Sequence, residues 1–440
     1  MHFDRQFYYQ MSYLKAHRDM SRRPAQPPRF PAARRDETEL TDDLLDLGVP
    51  LAVALGDRAA PRRQAHSLRA VATVAHRAAG LSRYEPSDPY PLHRPSPAPR
   101  CLYTTNLYFL SSGELLPPGL YLYHPVRHTL RPLRPDPEHW PPGLRDAWLI
   151  TVDTRRLAFK YGDFAERLGR LEAGHLAAQL QACLAALGWS SRLEVLSPGT
   201  RPPGVLAGLP EQEQAVVLLP YDPAPSAWPS PHGGASGPAA LETPFEVCVR
   251  RRESGFGPNG VHPLPLEVPL EQLLQMARVG LDGVEPHKHE LEFGLRAVVL
   301  HVQDLPAGVY EFSRAAPPRP LSAELGAELD QEALFEDLFL GSGFRAEHCS
   351  VIWFITANVP RAFATLGDQA YGALMLGAGR VAQRMELCAA AYGQFARPSM
   401  NYDEAGMDYH LGCAHRESAV LCQLLVGRNR AKSLSLRLDL

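Results

Sequence analysis

The order of sequence patterns in the first half of the chain returns in the second half, and this internal repeat constrains the fold more than any other feature. Residues 157–188 and 364–393 are both long alanine-rich segments with helical periodicity. When Gly162 is aligned with Gly367, 27 columns follow without a gap and 11 of them are identical. The repeat predicts two similar halves related as a pseudo-dimer within one chain.

The elements around these two helices also recur in the same order, which composition alone does not explain. Runs rich in aromatic, β-branched and aliphatic residues predict strands in both halves. In the first half they cover residues 101–110, 115–133, 147–153 and 215–221, after a helix over 66–81. In the second half they cover residues 297–302, 305–313, 351–359 and 418–427. We therefore predict an α+β fold with domains at 1–221 and 244–440, joined by a Pro/Gly/Ser-rich linker at 222–243.

Composition excludes several classes of protein. The 440 residues carry a formal net charge of -3, which provides no electrostatic case for nucleic acid or an anionic membrane as the main partner. The sequence has no run of eighteen apolar residues, the length needed to span a bilayer, and the charged N-terminus does not match a secretory signal. Seven cysteines without a CxxC pair argue against a disulfide framework or a structural zinc site. We expect a cytoplasmic protein without a metal.

Lysine is scarce in this sequence, which draws attention to the few positions that retain it. Of 45 basic residues only four are lysines: Lys15, Lys160, Lys288 and Lys432. A buried lysine can lose its proton, whereas arginine cannot. Lys160 stands beside Tyr161 at the start of the long helical segment, where a cation opposes the helix dipole. The simpler alternative is a solvated cation next to a packing aromatic residue.

Two motifs of the first half together resemble those of nitroreductase-like flavoproteins. They are the turn PPGLYLYHP and the helical segment KYGD…EAGH, and more narrowly they look like the azoline dehydrogenases of the streptolysin and thiopeptide type. The resemblance implies mixed sheets flanked by helices and a flavin site built at a dimer interface. It also implies FMN-dependent oxidation of peptide thiazolines and oxazolines to thiazoles and oxazoles, as in thiopeptide antibiotic biosynthesis. The implied partners are a modified precursor peptide and a cyclodehydratase or other peptide-modifying enzymes.

The same resemblance places the catalytic pair of the family on Lys160 and Tyr161. Aromatising an azoline requires a base whose pKa is brought down toward neutrality, and burial lowers the pKa of a lysine from about 10.4. The second half has Thr365 and Leu366 at the aligned positions, so we expect one catalytic site per chain. The next position is glycine in both halves, Gly162 and Gly367, which indicates a structural turn.

Flavin contacts are less regular in the sequence than the catalytic pair. The resemblance places a flavin-binding loop before the strand at 101–110, and here that loop has proline and arginine where glycines are expected. Converging cations suit a dianionic FMN phosphate, although a solvated basic tail is the alternative for the C-terminal ones. The candidates are Arg94, Ser96, Arg100, Arg428, Arg430 and Lys432.

Three other functions remain open at this level, one of which, a flavin oxidase that forms dehydro-amino acids, differs from the azoline dehydrogenase only in its substrate. A nitro- or quinone-reductase would be reduced rapidly by NAD(P)H alone. A flavin-free scaffold of a peptide-modifying complex is made plausible by the departures in the loop and would be colourless when purified.

Overall fold

The computed structural model describes residues 36–86, 90–133, 145–196, 208–223, 239–255, 262–282, 291–321, 334–335, 338, 344–413, 417–430 and 436–438. These residues divide into two compact units. The N-terminal unit contains residues 36–159, 168–250 and 436–438, and the C-terminal unit contains Lys160–Arg167 and 251–430. Most of the predicted linker lies outside the described residues, so the predicted domain boundaries stay a prediction.

The N-terminal unit is built on one antiparallel sheet with the order β1-β6-β5-β4-β7-β10-β8, to which β9 adds by pairing with β10. Its strands are β1 Thr38–Glu39, β4 Thr105–Ser111, β5 Gly119–His124, β6 Thr129–Leu133, β7 Ala147–Val152, β8 Ser190–Ser191, β9 Glu194–Val195 and β10 Gln214–Asp222. A small second sheet joins β2 Arg83–Tyr84 to β3 Leu92–His93 and to β20 Leu436–Arg437. Every residue of β4, β5 and β7 is buried, so these strands form the centre of the core.

Five helices accompany these strands: α1 Leu51–Ala54, α2 Leu68–Ala79, α3 Arg155–Tyr161, α4 Phe164–Ala186 and α5 Phe245–Arg251. The helix predicted over 66–81 is confirmed as α2, and it begins where the Ser67 side chain accepts a hydrogen bond from the Ala70 amide at 3.2 Å. The segment predicted as one long helix is two helices. Gly162, with a φ of 58°, ends α3, and α4 begins two residues later.

The C-terminal unit contains a second antiparallel sheet, with the order β11-β19-β17-β13-β15-β16 and with β18 also paired to β19. Its strands are β11 Pro263–Leu264, β13 Phe293–Val299, β15 Gly308–Phe312, β16 Arg319–Pro320, β17 Val351–Asn358, β18 Phe395–Ser399 and β19 Ser418–Asn429. A short separate pair joins β12 Val268–Pro269 to β14 Val302–Gln303. The helices are α6 Leu270–Asp282, α7 Val359–Leu366, α8 Ala370–Ala391 and α9 Glu404–His410.

The internal repeat is confirmed at the level of strand order. The order β6-β5-β4-β7-β10 of the first sheet corresponds to β16-β15-β13-β17-β19 of the second. The segments 116–124 and 305–313, which match in sequence, also share a turn contact. The Tyr121 hydroxyl donates to the Pro117 carbonyl at 2.8 Å, and the Tyr310 hydroxyl donates to the Pro306 carbonyl at 3.0 Å.

Aligned glycines show the same correspondence in backbone conformation. Gly162 and Gly367 have φ values of 58° and 56°, and Gly188 and Gly393 have 76° and 70°. These left-handed conformations are accessible to glycine without the steric cost that other residues meet. The prediction that Gly162 forms a structural turn is therefore confirmed.

One implication of the resemblance needs correction. The resemblance implied mixed sheets, but both large sheets are antiparallel in all their described pairs, and the parallel pair is β12 with β14. Strands joined by a tight turn, such as β5 and β6, can pair only antiparallel. His175, the last residue of the EAGH motif, lies inside α4, where its Nδ1 is 2.8 Å from the Leu171 carbonyl. Helices α1, α5, α6 and α9 carried no prediction.

Two further observations concern what the described part of the chain does not contain. None of its helices combines the length and apolar character needed to cross a bilayer. It also holds no group of three or more histidine, cysteine or acidic side chains arranged to bind a metal ion. The histidines at 287 and 289 lie outside the described residues.

Candidate functional site

The predicted catalytic pair lies at the C-terminal end of α3, immediately before the left-handed Gly162. The expectation that Lys160 stands at the start of a helix and opposes its dipole is therefore wrong, because the dipole favours a cation in the last turn. Lys160 and Tyr161 are both buried, each with an exposed fraction of 8%. The Tyr161 ring packs 6.4 Å from the ring of Phe164, the first residue of α4. Two ionisable side chains that are neighbours in the sequence are therefore both withdrawn from solvent, just before the break between the helices.

The aligned positions of the second repeat have the same backbone and a different environment. Thr365 is exposed at the end of α7, and its hydroxyl donates to the Arg361 carbonyl at 2.9 Å. Leu366 is half-buried, and Gly367 follows with nearly the φ of Gly162. The repeat thus conserves the turn within the chain, while burial and ionisable chemistry are confined to the first copy.

A buried arginine follows the pair on the same segment. The Arg167 side chain is 1% exposed and donates to Glu404 Oε1 at 3.0 Å and to the Leu421 carbonyl at 3.2 Å. Its guanidinium also lies 5.6 Å from the Phe164 ring centroid and 6.0 Å from that of Tyr371. These contacts are all within the C-terminal unit, and they explain why Lys160–Arg167 belongs to it.

Acidic and phenolic side chains surround this arginine. Burial raises the pKa of Asp408 to about 7, and the carboxylate accepts a hydrogen bond from the Val420 amide at 2.8 Å. Burial raises the pKa of Tyr371 to about 12 and that of Tyr402 well above 10. The tyrosines are therefore neutral at physiological pH, and Asp408 is the group in this cluster that changes charge near neutrality.

The predicted flavin loop belongs to the N-terminal unit and is partly buried. Arg94 and Ser96 are buried, whereas Arg100 is exposed. The Arg94 guanidinium lies 4.3 Å from the centroid of the Tyr103 ring, and burial lowers the pKa of Arg94. The structure therefore brings Arg94 and Ser96 into the interior and leaves Arg100 at the surface.

The loop adopts glycine-like backbone conformations without containing glycine. Arg100, Cys101 and Tyr103 have φ values of 50°, 51° and 48°, in the left-handed region that residues with a Cβ rarely adopt. Tyr103 is held by its hydroxyl, which donates to the Leu92 carbonyl at 2.8 Å and accepts from the Arg94 amide at 2.9 Å. These left-handed conformations are therefore adopted without glycine, and tertiary contacts hold the strain.

A buried carboxylate fastens helix α4 to the beginning of β4. Glu172 accepts hydrogen bonds from the backbone amides and the hydroxyls of Thr104 and Thr105, at distances between 2.7 and 3.2 Å. In the next residue of β4, Asn106, the side-chain Oδ1 accepts a hydrogen bond from Arg156 at 3.1 Å. That contact orients the Asn106 amide nitrogen away from Arg156, and this buried nitrogen has no hydrogen-bond partner among the described residues.

The C-terminal cations predicted to hold a phosphate are at the surface or outside the described residues. Arg428 and Arg430 are exposed, at and just beyond the end of β19 in the C-terminal unit. Lys432 lies outside the described residues. The assignment of these three residues to a phosphate stays a prediction.

Sequence reasoning missed the buried polar residues found near the predicted catalytic pair and near the predicted flavin loop. Arg167, Glu404, Asp408, Glu172 and Asn106 drew no attention because nothing in a single sequence marks them as interior. A weak signal existed for Arg167 and Glu172, since both are charged residues inside an alanine-rich helix. Cys183 and Cys388, at aligned positions of the repeat, are both fully buried.

Comparison with known proteins identifies the fold. A crystal structure from Anabaena variabilis, of a protein assigned as a nitroreductase, matches 94% of this chain and 99% of its own with a TM-score of 0.65 and 19% identity. A second protein assigned as a nitroreductase, from Ralstonia eutropha, matches 46% of this chain and 97% of its own at 19% identity, with a TM-score of 0.34.

The third similar structure is the Escherichia coli microcin synthetase complex McbBCD with truncated pro-MccB17 bound. It matches 41% of this chain and 71% of its own at 15% identity, with a TM-score of 0.32. The last two scores are too low to support an argument. No protein-family model and no curated protein matches the sequence. The chain therefore has a nitroreductase-like fold, and the likeness extends over both halves.

Proposed function

We propose that this protein is an FMN-dependent oxidoreductase that oxidises thiazoline or oxazoline rings in a ribosomally made peptide to thiazoles or oxazoles. The nitroreductase-like fold supports a redox role. The observation that carries the narrower proposal is the burial of Lys160 beside Tyr161, at a turn whose second copy has an exposed threonine and a half-buried leucine instead.

Aromatisation of an azoline removes one ring hydrogen as a proton and a second as a hydride. Bound FMN would accept the hydride. The amine of Lys160 would take the proton, because burial favours the neutral form of an amine, which is the form that can act as a base. The phenol of Tyr161 would donate a hydrogen bond to the substrate or to the amine, and its packing against Phe164 limits its orientations.

The loop of the N-terminal unit has a donor set that fits a flavin. Arg94 supplies a buried cation, Ser96 a buried hydroxyl and Asn106 a buried amide N–H without a partner in the described residues. A flavin ring presents carbonyl and nitrogen acceptors that such donors match, and a phosphate needs cations. We assign Arg94, Ser96 and Asn106 to the cofactor, with Arg100, Arg428, Arg430 and Lys432 as the candidates for its phosphate.

The substrate in this proposal is a precursor peptide that has already been cyclised at Cys, Ser or Thr. An enzyme that forms those azoline rings, of the cyclodehydratase class, must therefore act first. Neither a nucleic acid nor a membrane has a part in this reaction. We place the protein in the cytoplasm, where such a peptide is made.

The first experiment is the visible absorption spectrum of the purified full-length protein. Flavin bands at a measured stoichiometry per chain are expected, and a colourless protein that also fails to bind added FMN would contradict the proposal and favour a scaffold. Rapid bleaching of the bands by NAD(P)H alone would favour the nitro- or quinone-reductase.

The second experiment separates the catalytic pair from the fold. Lys160→Ala should retain flavin and lose azoline oxidation by at least about 100-fold, the range of a general base. Thr365→Ala, at the aligned position of the second repeat, is the matched control and should oxidise the peptide at the wild-type rate. Normal turnover by Lys160→Ala would exclude lysine as the base.

A further inference from the structure

A cysteine in the strained loop faces a histidine of the small second sheet. Cys101 Sγ lies 3.3 Å from Nδ1 of His93, which belongs to β3. The contact joins two positions of the N-terminal unit that are separated by eight residues of chain. A thiol at this distance from an imidazole nitrogen can pass its proton to it, which produces the nucleophilic thiolate.

A buried carboxylate stands on the other side of the histidine. Glu85 Oε2 lies 3.7 Å from His93 Nε2, at ion-pair distance, and the Glu85 side chain is itself buried. Arg83 also contacts the Glu85 carboxylate, so part of its charge is shared. A negative charge on the far side of an imidazole stabilises the imidazolium form, and hence the ion pair of thiolate and imidazolium.

Exposure distinguishes Cys101 from the other thiols of the chain. Cys101 is half-buried, whereas the six others, Cys183, Cys248, Cys349, Cys388, Cys413 and Cys422, are all buried. Burial raises the pKa of Cys183 to about 12 and that of Cys413 to about 11, so these thiols stay protonated. One accessible thiol with a base beside it and a carboxylate behind that base forms a nucleophile, base and orienting group in sequence.

We infer that Cys101 is a reactive thiol activated by His93 and Glu85, and that it is a site of oxidation by hydrogen peroxide. This inference is independent of the proposed flavin chemistry. The Cys101 thiolate attacks one oxygen of the peroxide, an S–O bond forms and the O–O bond breaks. Hydroxide leaves and takes the proton of the His93 imidazolium as water. The sulfur is oxidised by two electrons to a sulfenic acid and the peroxide is reduced.

Three groups besides the pair determine the charge around the thiol. Tyr103, in the same loop, interacts electrostatically with Cys101, and burial raises the pKa of Tyr103 well above 10, so it is neutral at physiological pH. Glu85 and Arg83 lie behind the imidazole, one of each sign. The Cys101 thiolate is therefore balanced mainly by the His93 imidazolium.

The test uses the purified full-length protein, hydrogen peroxide and a dimedone probe read by peptide mass spectrometry. Sulfenic acid should form at Cys101, while the six buried cysteines act as internal controls. His93→Asn keeps a hydrogen-bond donor near the thiol and removes the base, so the rate should fall at least about tenfold. Glu85→Gln should reduce it by a smaller factor. An unchanged rate in His93→Asn, or labelling of Cys101 no faster than that of glutathione, would overturn the inference.

A second measurement protects against a variant that fails to fold. The thiolate of the wild-type protein absorbs near 240 nm, and Cys101→Ser provides the reference spectrum. A free cysteine is only a few per cent ionised at pH 7, and activation by His93 should raise that fraction about tenfold. A difference spectrum with no more thiolate than free cysteine would contradict the inference without reference to any histidine variant.

Discussion

Arg167 and Glu404 form an ion pair of 3.0 Å that joins the segment bearing Lys160 to helix α9, and the arginine side chain is 1% exposed. Both partners are within the C-terminal unit although 237 residues separate them in the sequence. A buried ion pair adds little net stability by itself, but removing one partner leaves the other charge desolvated and unpaired.

Arg167→Met should therefore lower the free energy of unfolding by about 3–5 kcal/mol. The double variant Arg167→Met/Glu404→Leu should lose less than the single one, because it leaves no unpaired carboxylate at this position. The matched control is Arg361→Met, whose ion pair with Glu292 is exposed and should contribute less than about 1 kcal/mol. Urea unfolding measures all three, and equal losses in the buried and exposed single variants would contradict the interpretation.

The raised pKa of Asp408 predicts a pH dependence of stability. The value is about 7 in the folded protein against 3.8 ordinarily, so the folded state binds the proton more tightly. The contribution of Asp408 is fully favourable below about pH 4 and is lost as the pH rises through 7. Asp408→Asn, whose amide oxygen can still accept from Val420, should gain stability relative to wild type between pH 4 and pH 8.

Urea unfolding of wild type and Asp408→Asn at the two pH values checks this expectation. The exposed Asp368 provides a control, because Asp368→Asn should show no comparable change with pH. A difference between wild type and Asp408→Asn that is the same at both pH values would refute the role of this carboxyl.

Replacing Glu172 by glutamine should lower the free energy of unfolding by more than such a conservative change usually does. Its two oxygens accept four hydrogen bonds from Thr104 and Thr105. The amide nitrogen in Glu172→Gln faces one backbone N–H and one hydroxyl. The hydroxyl can rotate and accept, but the backbone N–H is left unsatisfied, which should cost about 1–3 kcal/mol. The exposed Glu39→Gln is the control, expected within about 0.5 kcal/mol of wild type in thermal or urea unfolding.

The aligned glycines Gly162 and Gly367 allow a paired test of the repeat. No atom lies within 4 Å of the place of an added Cβ at either position, and both φ values are left-handed. Alanine at either site should therefore cost about 1–2 kcal/mol through backbone strain alone. Under the proposed function only Gly162→Ala should also slow peptide oxidation, since it displaces Lys160 and Tyr161. If both variants oxidise the peptide at the same rate, the turn at Gly162 has no part in positioning the proposed catalytic pair.

The sequence predicted the central strands and the longest helices because each has a clear local periodicity, and the repeat because the same order of elements returns. It missed the helices α1, α5, α6 and α9. It also missed the pairing of Arg167 with Glu404, since their proximity depends on the tertiary fold and no local pattern encodes it. The contact of Cys101 with His93 escaped notice for the same reason, although only eight residues separate them.

The predicted flavin loop lacks glycine where the resemblance leads one to expect it. Missing glycines suggested that the loop departs from the family geometry. The structure holds Arg100, Cys101 and Tyr103 in left-handed conformations all the same. The hydrogen bond of the Tyr103 hydroxyl and the packing of Arg94 on its ring stabilise a backbone conformation that only glycine adopts at little steric cost.

The duplicated architecture has a consequence for how such a chain can evolve. In a symmetric homodimer every substitution occurs in both subunits, so a change that improves one of two equivalent sites also alters the other. When the two copies are fused in one chain, each can change independently. Here the helix that ends at Leu366 lacks the ionisable residues of its counterpart, while the glycine bend is present in both copies. A single polypeptide can thus hold an asymmetry that an assembly of identical subunits could not encode.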